Sequence, residues 1–156
     1  MGILNGIRTG LAGNSKSTGA VKAKGSAAEA IAGLDTMGAI EAHIRWKVRL
    51  EAYLSGSGSE KLDPAVVEQD NQCVLGKWIH GAGGGQYHGS PMVVELTETH
   101  AAFHKCVAEI VRKADRGEIT EAADCLHNGE YSKLSYRIKT QLARLCLAAN
   151  KAQASG

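Results

Sequence analysis

Two histidines four residues apart, His100 and His104, restrict this chain more than any other feature of its sequence. They lie in the run Glu98-Thr-His-Ala-Ala-Phe-His-Lys-Cys-Val107, and on a helix that spacing stacks both imidazoles on one face, within reach of a single cation. A third histidine comes from the run His43-Ile-Arg-Trp-Lys-Val-Arg-Leu50 and a cysteine from Cys73-Val-Leu-Gly-Lys-Trp78. Three imidazole nitrogens and one thiolate make a closed tetrahedral set, which favours Zn²⁺ over a hard, oxygen-seeking cation. A fold that uses His43, Cys73, His100 and His104 together must bring three separate segments to one point. It leaves no ligand position for a reacting water, so the expected site is sensory or structural.

The rest of the sequence reads as helices. The chain has 156 residues, enough for one core, and holds two Trp, four Tyr and one Phe against abundant Ala, Leu, Ile and Val. Close-packed helices suit that composition better than a sheet does. The spacing predicts a first helix over Asp35–Leu54, with Ile40, Ile44, Val48 and Leu50 among its apolar positions. Asp63 followed by Pro64 is a favoured helix start, and a second helix is expected to run from there towards Cys73 and Trp78. Ser90-Pro91 repeats the signal and opens the longest helix, to about Ala114. Gly117 separates it from a short helix, Thr120–His127, and Gly129 separates that from a last one, Tyr131–Ala149. Short connections favour antiparallel neighbours, so the expected fold is all-α: an antiparallel four-helix bundle with an additional short helix, over residues 34–151.

Residues 1–33, rich in Gly, Ser, Lys and Ala, cannot bury enough apolar area to offset their ordering entropy and are expected to form a mobile tail. Within them Ile3, Leu4, Ile7 and Leu11 share a helical face, a short docking element weakened by Gly2, Gly6, Gly10 and Gly13. A net charge of +2 gives no footprint for nucleic acid. No apolar run approaches the ~20 residues of a membrane span. The N-terminus has neither a secretory pattern nor a myristoylation pattern, where Gly6 replaces the required Ser or Thr. The four cysteines, Cys73, Cys106, Cys125 and Cys146, are widely spaced and read as reduced thiols, which points to the cytoplasm.

Other residues lie close to the four in sequence. His80 and His88 flank the run Gly81-Ala-Gly-Gly-Gly85 and compete as ligands, but flexible backbone makes a tight site costly to order. The glycine run is not a phosphate cradle, since no Gly-Lys-Ser/Thr follows it; it lets the chain turn between helices. His127 sits where a cation suits the C-terminal end of a helix. Trp46, Trp78 and Phe103 are expected to pack round the site and fix its ligands. Asp70 and Glu98 are either acceptors for imidazole N–H groups or solvated surface. Cys106, Cys125 and Cys146 read as core positions. Leu134, Ile138, Leu142, Leu145 and Cys146 recur at heptad-like spacing, as core or as a dimer seam.

Taken in order, His43-x-x-Trp46-Lys47, Cys73-x-Leu75-Gly76-Lys77-Trp78 and His100-x-x-Phe103-His104 resemble the chemoreceptor zinc-binding, or CZB, domain, from His43 to the final helix. The resemblance implies a zinc-dependent domain of bacterial signalling, in chemotaxis or cyclic-di-GMP control, with no catalysis of its own. In that family, zinc occupancy or oxidation of the zinc-bound cysteine alters an attached output domain. Here the resemblance implies a homodimer. The chain departs from the common arrangement in carrying no receptor or cyclase domain, so the expected output is supplied in trans by a chemoreceptor or a diguanylate cyclase, or the chain is a fragment of something longer. The alternatives are a zinc-buffering or structural zinc protein and, with Cys73 swung away, a zinc hydrolase. A di-iron bundle is disfavoured because no Glu-x-x-His motif occurs.

Overall fold

Asp35 sets where the first long helix begins: its carboxylate accepts the Gly38 N–H at 2.9 Å, and α1 runs from Thr36 to Leu54. The computed structural model describes residues 30–31, 33–85, 87 and 89–154. The N-terminal segment with its Ile3–Leu11 face, and His88, lie outside the described residues. Ahead of α1, Ala30–Ile31 (β1) pairs antiparallel with Leu34–Asp35 (β2) in a two-residue ladder. Gly33 turns the chain between them at φ 82°, a left-handed conformation that side chains strain to adopt.

The chain then forms α2 (Pro64–Val67), α3 (Val74–His80), α4 (Ala82–Gly85), α5 (Pro91–Asp115), α6 (Ile119–His127) and α7 (Glu130–Ala154). Asp63 caps α2 as expected, accepting the Ala65 N–H at 2.9 Å. The second helix, however, does not continue to Trp78. It stops at Val67, and residues 68–73 cross to α3 without helical structure. A charge-assisted bond from Arg112 on α5 to Glu68 ties this crossing to the bundle. The glycine run also departs from expectation, since Ala82–Gly85 closes one helical turn instead of remaining a plain loop. The last helix extends five residues beyond its expected end, to Ala154.

The result is an all-α bundle whose core lies among α1, α5, α6 and α7. Leu50, Leu96, Phe103, Val107, Ala108, Val111, Ala122, Leu126, Ile138 and Leu142 are all fully buried. Burying each large aliphatic side chain stabilises the fold by about 1.5–3 kcal/mol, so these residues carry the bundle. Leu134, Ile138, Leu142 and Leu145 all face inward, so the heptad-like stripe on α7 is spent on the core. On α1 the buried set is Thr36, Ala39, His43 and Leu50, with Trp46 half-buried, whereas Ile44 and Val48 are 49% and 62% exposed. Positions 39, 43, 46 and 50 fall on one helical face, and 44 and 48 lie round the far side, roughly 130° and 170° from it. Among the described residues no helix is long and apolar enough to cross a membrane.

Candidate metal centre

The four residues reach the centre from three elements. His43 lies mid-way along α1, His100 and His104 one turn apart on α5, and Cys73 in the cap position of α3. Their ligand atoms all lie within 4.8 Å of one another. The sulfur of Cys73 and Nε2 of His100 are 3.2 Å apart, and the His100 and His104 rings have centroids 4.7 Å apart. His43, His100 and His104 are 2%, 0% and 3% exposed, whereas Cys73 is only half-buried.

Backbone carbonyls aim two of the rings. Nδ1 of His43 donates to the Ala39 carbonyl at 2.7 Å, and Nδ1 of His104 donates to the Val67 carbonyl at 2.7 Å. The second acceptor exists because α2 ends at Val67, where a helix leaves its last carbonyls without helical partners. With the proton fixed on Nδ1, each Nε2 presents a lone pair. Both Nε2 atoms are buried and have no hydrogen-bond partner among the protein atoms. Buried nitrogens left orphaned in this way fit a cation that accepts their lone pairs. His100 differs. Its Nε2 faces Cys73, and its buried Nδ1 finds no protein acceptor.

Cys73 is placed by a close approach. Its sulfur accepts the Gly76 N–H at 3.3 Å, which makes it the cap of α3. A Cβ at Gly76 would stand 1.7 Å from the Asp70 carbonyl oxygen, so only glycine lets α3 lie against residues 70 and 71. Without a metal, burial pushes the Cys73 thiol above its ordinary value, opposed by the Gly76 and Leu75 N–H groups. Burial lowers all three imidazoles: His100 falls to about 2, with the neighbouring histidines adding to the effect. At neutral pH the centre therefore offers three neutral imidazoles and one thiol that a cation must deprotonate.

Rings pack round the centre. Phe103 is fully buried, with its ring centroid 5.2 Å from that of His43 and 5.7 Å from that of His104. Trp46 meets His104 edge-on at 6.3 Å. Trp78 is buried too, but the ring it stacks on is Tyr87. Asp70 does not hold a ligand imidazole; its carboxylate lies 3.2 Å from Nε2 of His80, and Glu98 is exposed. His80 stands outside the four-residue group and is itself largely exposed. His127 ends α6 and lies 3.9 Å from Glu51. All four cysteines are free; Cys106, Cys125 and Cys146 pack against the core, and burial raises the Cys106 thiol to about 11. The two carbonyl acceptors escaped the sequence reading because every residue type carries the same backbone oxygen.

The segment from His43 to Val111 matches the family described as the chemoreceptor zinc-binding domain. That segment is similar to a CZB domain. The match begins at His43 and includes all four residues of the cluster, but it stops within α5 and does not reach α6 or α7. Curated proteins and solved structures give no match to the chain. The CZB domain is a zinc-binding, chemoreceptor-type domain and not a catalytic family, and the cluster of three imidazoles and one thiol fits a zinc site.

Proposed function

We propose that this CZB-domain protein is a zinc-dependent sensor that holds one Zn²⁺ with His43, Cys73, His100 and His104. His43 and His104 would use Nε2, since their Nδ1 atoms are already bonded to carbonyls. The ion would supply Lewis acidity that keeps Cys73 as a thiolate. The residues themselves orient the rings, exclude water from the three imidazoles, and leave the sulfur as the accessible corner of the centre. The observation that carries this reading is that asymmetry: three ligands with at most 3% exposure and one half-buried sulfur.

A thiolate at an accessible corner is the form that oxidants attack, and its oxidation removes a ligand. Release of Cys73 would free residues 68–73 and α3 from the centre, a segment held otherwise by Arg112–Glu68 and by packing. The protein would pass this change to a signalling protein in trans, a chemoreceptor or a diguanylate cyclase, from a homodimer in the cytoplasm. A zinc-buffering or structural zinc protein is the second reading, its structural form favoured by how completely the three imidazoles are buried, because deep burial suits slow exchange. Metal analysis of protein purified without chelator or nickel tests the site, with one zinc per chain expected. Peptide mapping after mild oxidant tests the sensing. Cys73 should be modified first as zinc is released; oxidation of Cys106 or Cys146 with zinc still bound would leave the second reading.

A further inference from the structure

The four ligands are not equally shielded, and one feature of the surface follows that difference. Of the four, only Cys73 lines an open groove, of about 580 Å³, between α1 and residues 72–74. Gly38 and Ala42 give it a low wall on α1, Trp46 and Arg49 stand beyond them, and Gln72 and Val74 form the opposite side. Trp46 separates the groove from the interior: its ring meets His104 on one side and carries the Arg49 guanidinium, 3.8 Å from the ring centre, on the other. Of the four, Cys73 is therefore the ligand that this groove presents to solvent.

We propose that this groove is a binding site for small anionic metal-chelating ligands, carboxylate or thiolate, and is the route by which the metal is exchanged. The inference rests on the zinc reading given above. Charge favours an anion here for two reasons. A divalent ion held by three neutral imidazoles and one thiolate keeps one net positive charge. The groove wall adds Arg45 and Arg49 against a single carboxylate, Asp35, which is already engaged by the Gly38 N–H. Arg49 is partly compensated by its paired bonds to Glu60. Arg45 is freer, with a 3.5 Å contact to Glu41 in which the two side chains are 69% and 63% exposed. With zinc bound, an incoming carboxylate or thiolate would take the place of the Cys73 sulfur, and the freed thiolate would take a proton from water, leaving hydroxide to the buffer.

The test uses the full chain loaded with Co²⁺, whose thiolate charge-transfer band reports the Cys73 bond directly. Metal release is followed by stopped flow into an anionic aminocarboxylate chelator and, separately, into a neutral pyridine-based chelator. Arg45→Glu should slow release to the anionic chelator by about tenfold, on the scale of charge steering in clefts, and leave the neutral one unchanged. Ala42→Leu, which narrows the groove, should slow both. Arg137→Glu, an exposed charge change on α7 outside the groove, should slow neither. The inference is overturned if Arg45→Glu acts no more strongly than Arg137→Glu, or if Ala42→Leu leaves both rates unchanged. A chain that binds cobalt without the thiolate band sinks the four-ligand reading as well, so the two failures are told apart by the spectrum.

Discussion

Among single residues, the contrast between His100 and its two neighbours matters most. His43 and His104 each have a carbonyl to hold the second ring nitrogen, and His100 has none. A buried donor without an acceptor costs about 1–3 kcal/mol, so His100 is held in place by packing and by Cys73 alone. Cys73→Ala should therefore cut zinc affinity by orders of magnitude while circular dichroism stays largely helical, because aliphatic burial supports the bundle. Cys106→Ala, Cys125→Ala and Cys146→Ala should leave affinity almost unchanged; competition titration against a chromogenic chelator compares all four. The lowered imidazoles also set a pH dependence for the metal-free chain. Below the ordinary imidazole value of 6.5 the unfolded chain takes up protons that folded His43, His100 and His104 resist. Stability should thus be complete above pH 6.5 and fall as pH drops through that value towards the lower folded ones. Urea midpoints measured from pH 8 to 4 would check it, and a flat profile would contradict buried neutral imidazoles.

Among elements, the informative one is the break between α2 and α3. The cap-and-proline start at Asp63-Pro64 was legible, as was the His100/His104 face, because both are local patterns. The break was not. Nothing in Glu68–Gln72 is a strong helix breaker, and the reason for stopping is tertiary: α3 presses its Gly76 against the Asp70 carbonyl, and Val67 supplies its own carbonyl to His104. Periodicity also placed Ile44 and Val48 with the apolar positions of α1, yet it could not show that His43 would fix which face turned inward. Gly76→Ala should displace α3, reducing stability by about 1–3 kcal/mol, on the scale of overpacking. Its effect on zinc should be larger than on helicity, since Cys73 moves with α3. Equal zinc affinity in Gly76→Ala and the parent would show that the close approach does not position the sulfur.

For the whole molecule, the all-α expectation holds, and the core accounts for the apolar stripe on α7. The faces that remain exposed include Met37, Ile44 and Val48 on α1, so the proposed homodimer would need a seam other than the α7 stripe. Light scattering at working concentration should give the mass of two chains, and Ile44→Glu with Val48→Glu should return it to one. A monomer throughout would reject the dimer and leave the metal centre untouched.

The proton inventory of the centre has a consequence for the chain as a whole. At pH 7 the three histidines hold no charge to lose, and the cysteine still carries its hydrogen. Each ion captured should therefore expel about one proton, not several, and apparent affinity should rise about tenfold per pH unit between 7 and 8. Calorimetry repeated in buffers of different ionisation heat measures that number directly. A value near zero would mean the thiol had already ionised. Such a molecule couples the acidity of its surroundings to its grip on metal, with a single sulfur as the gear between them.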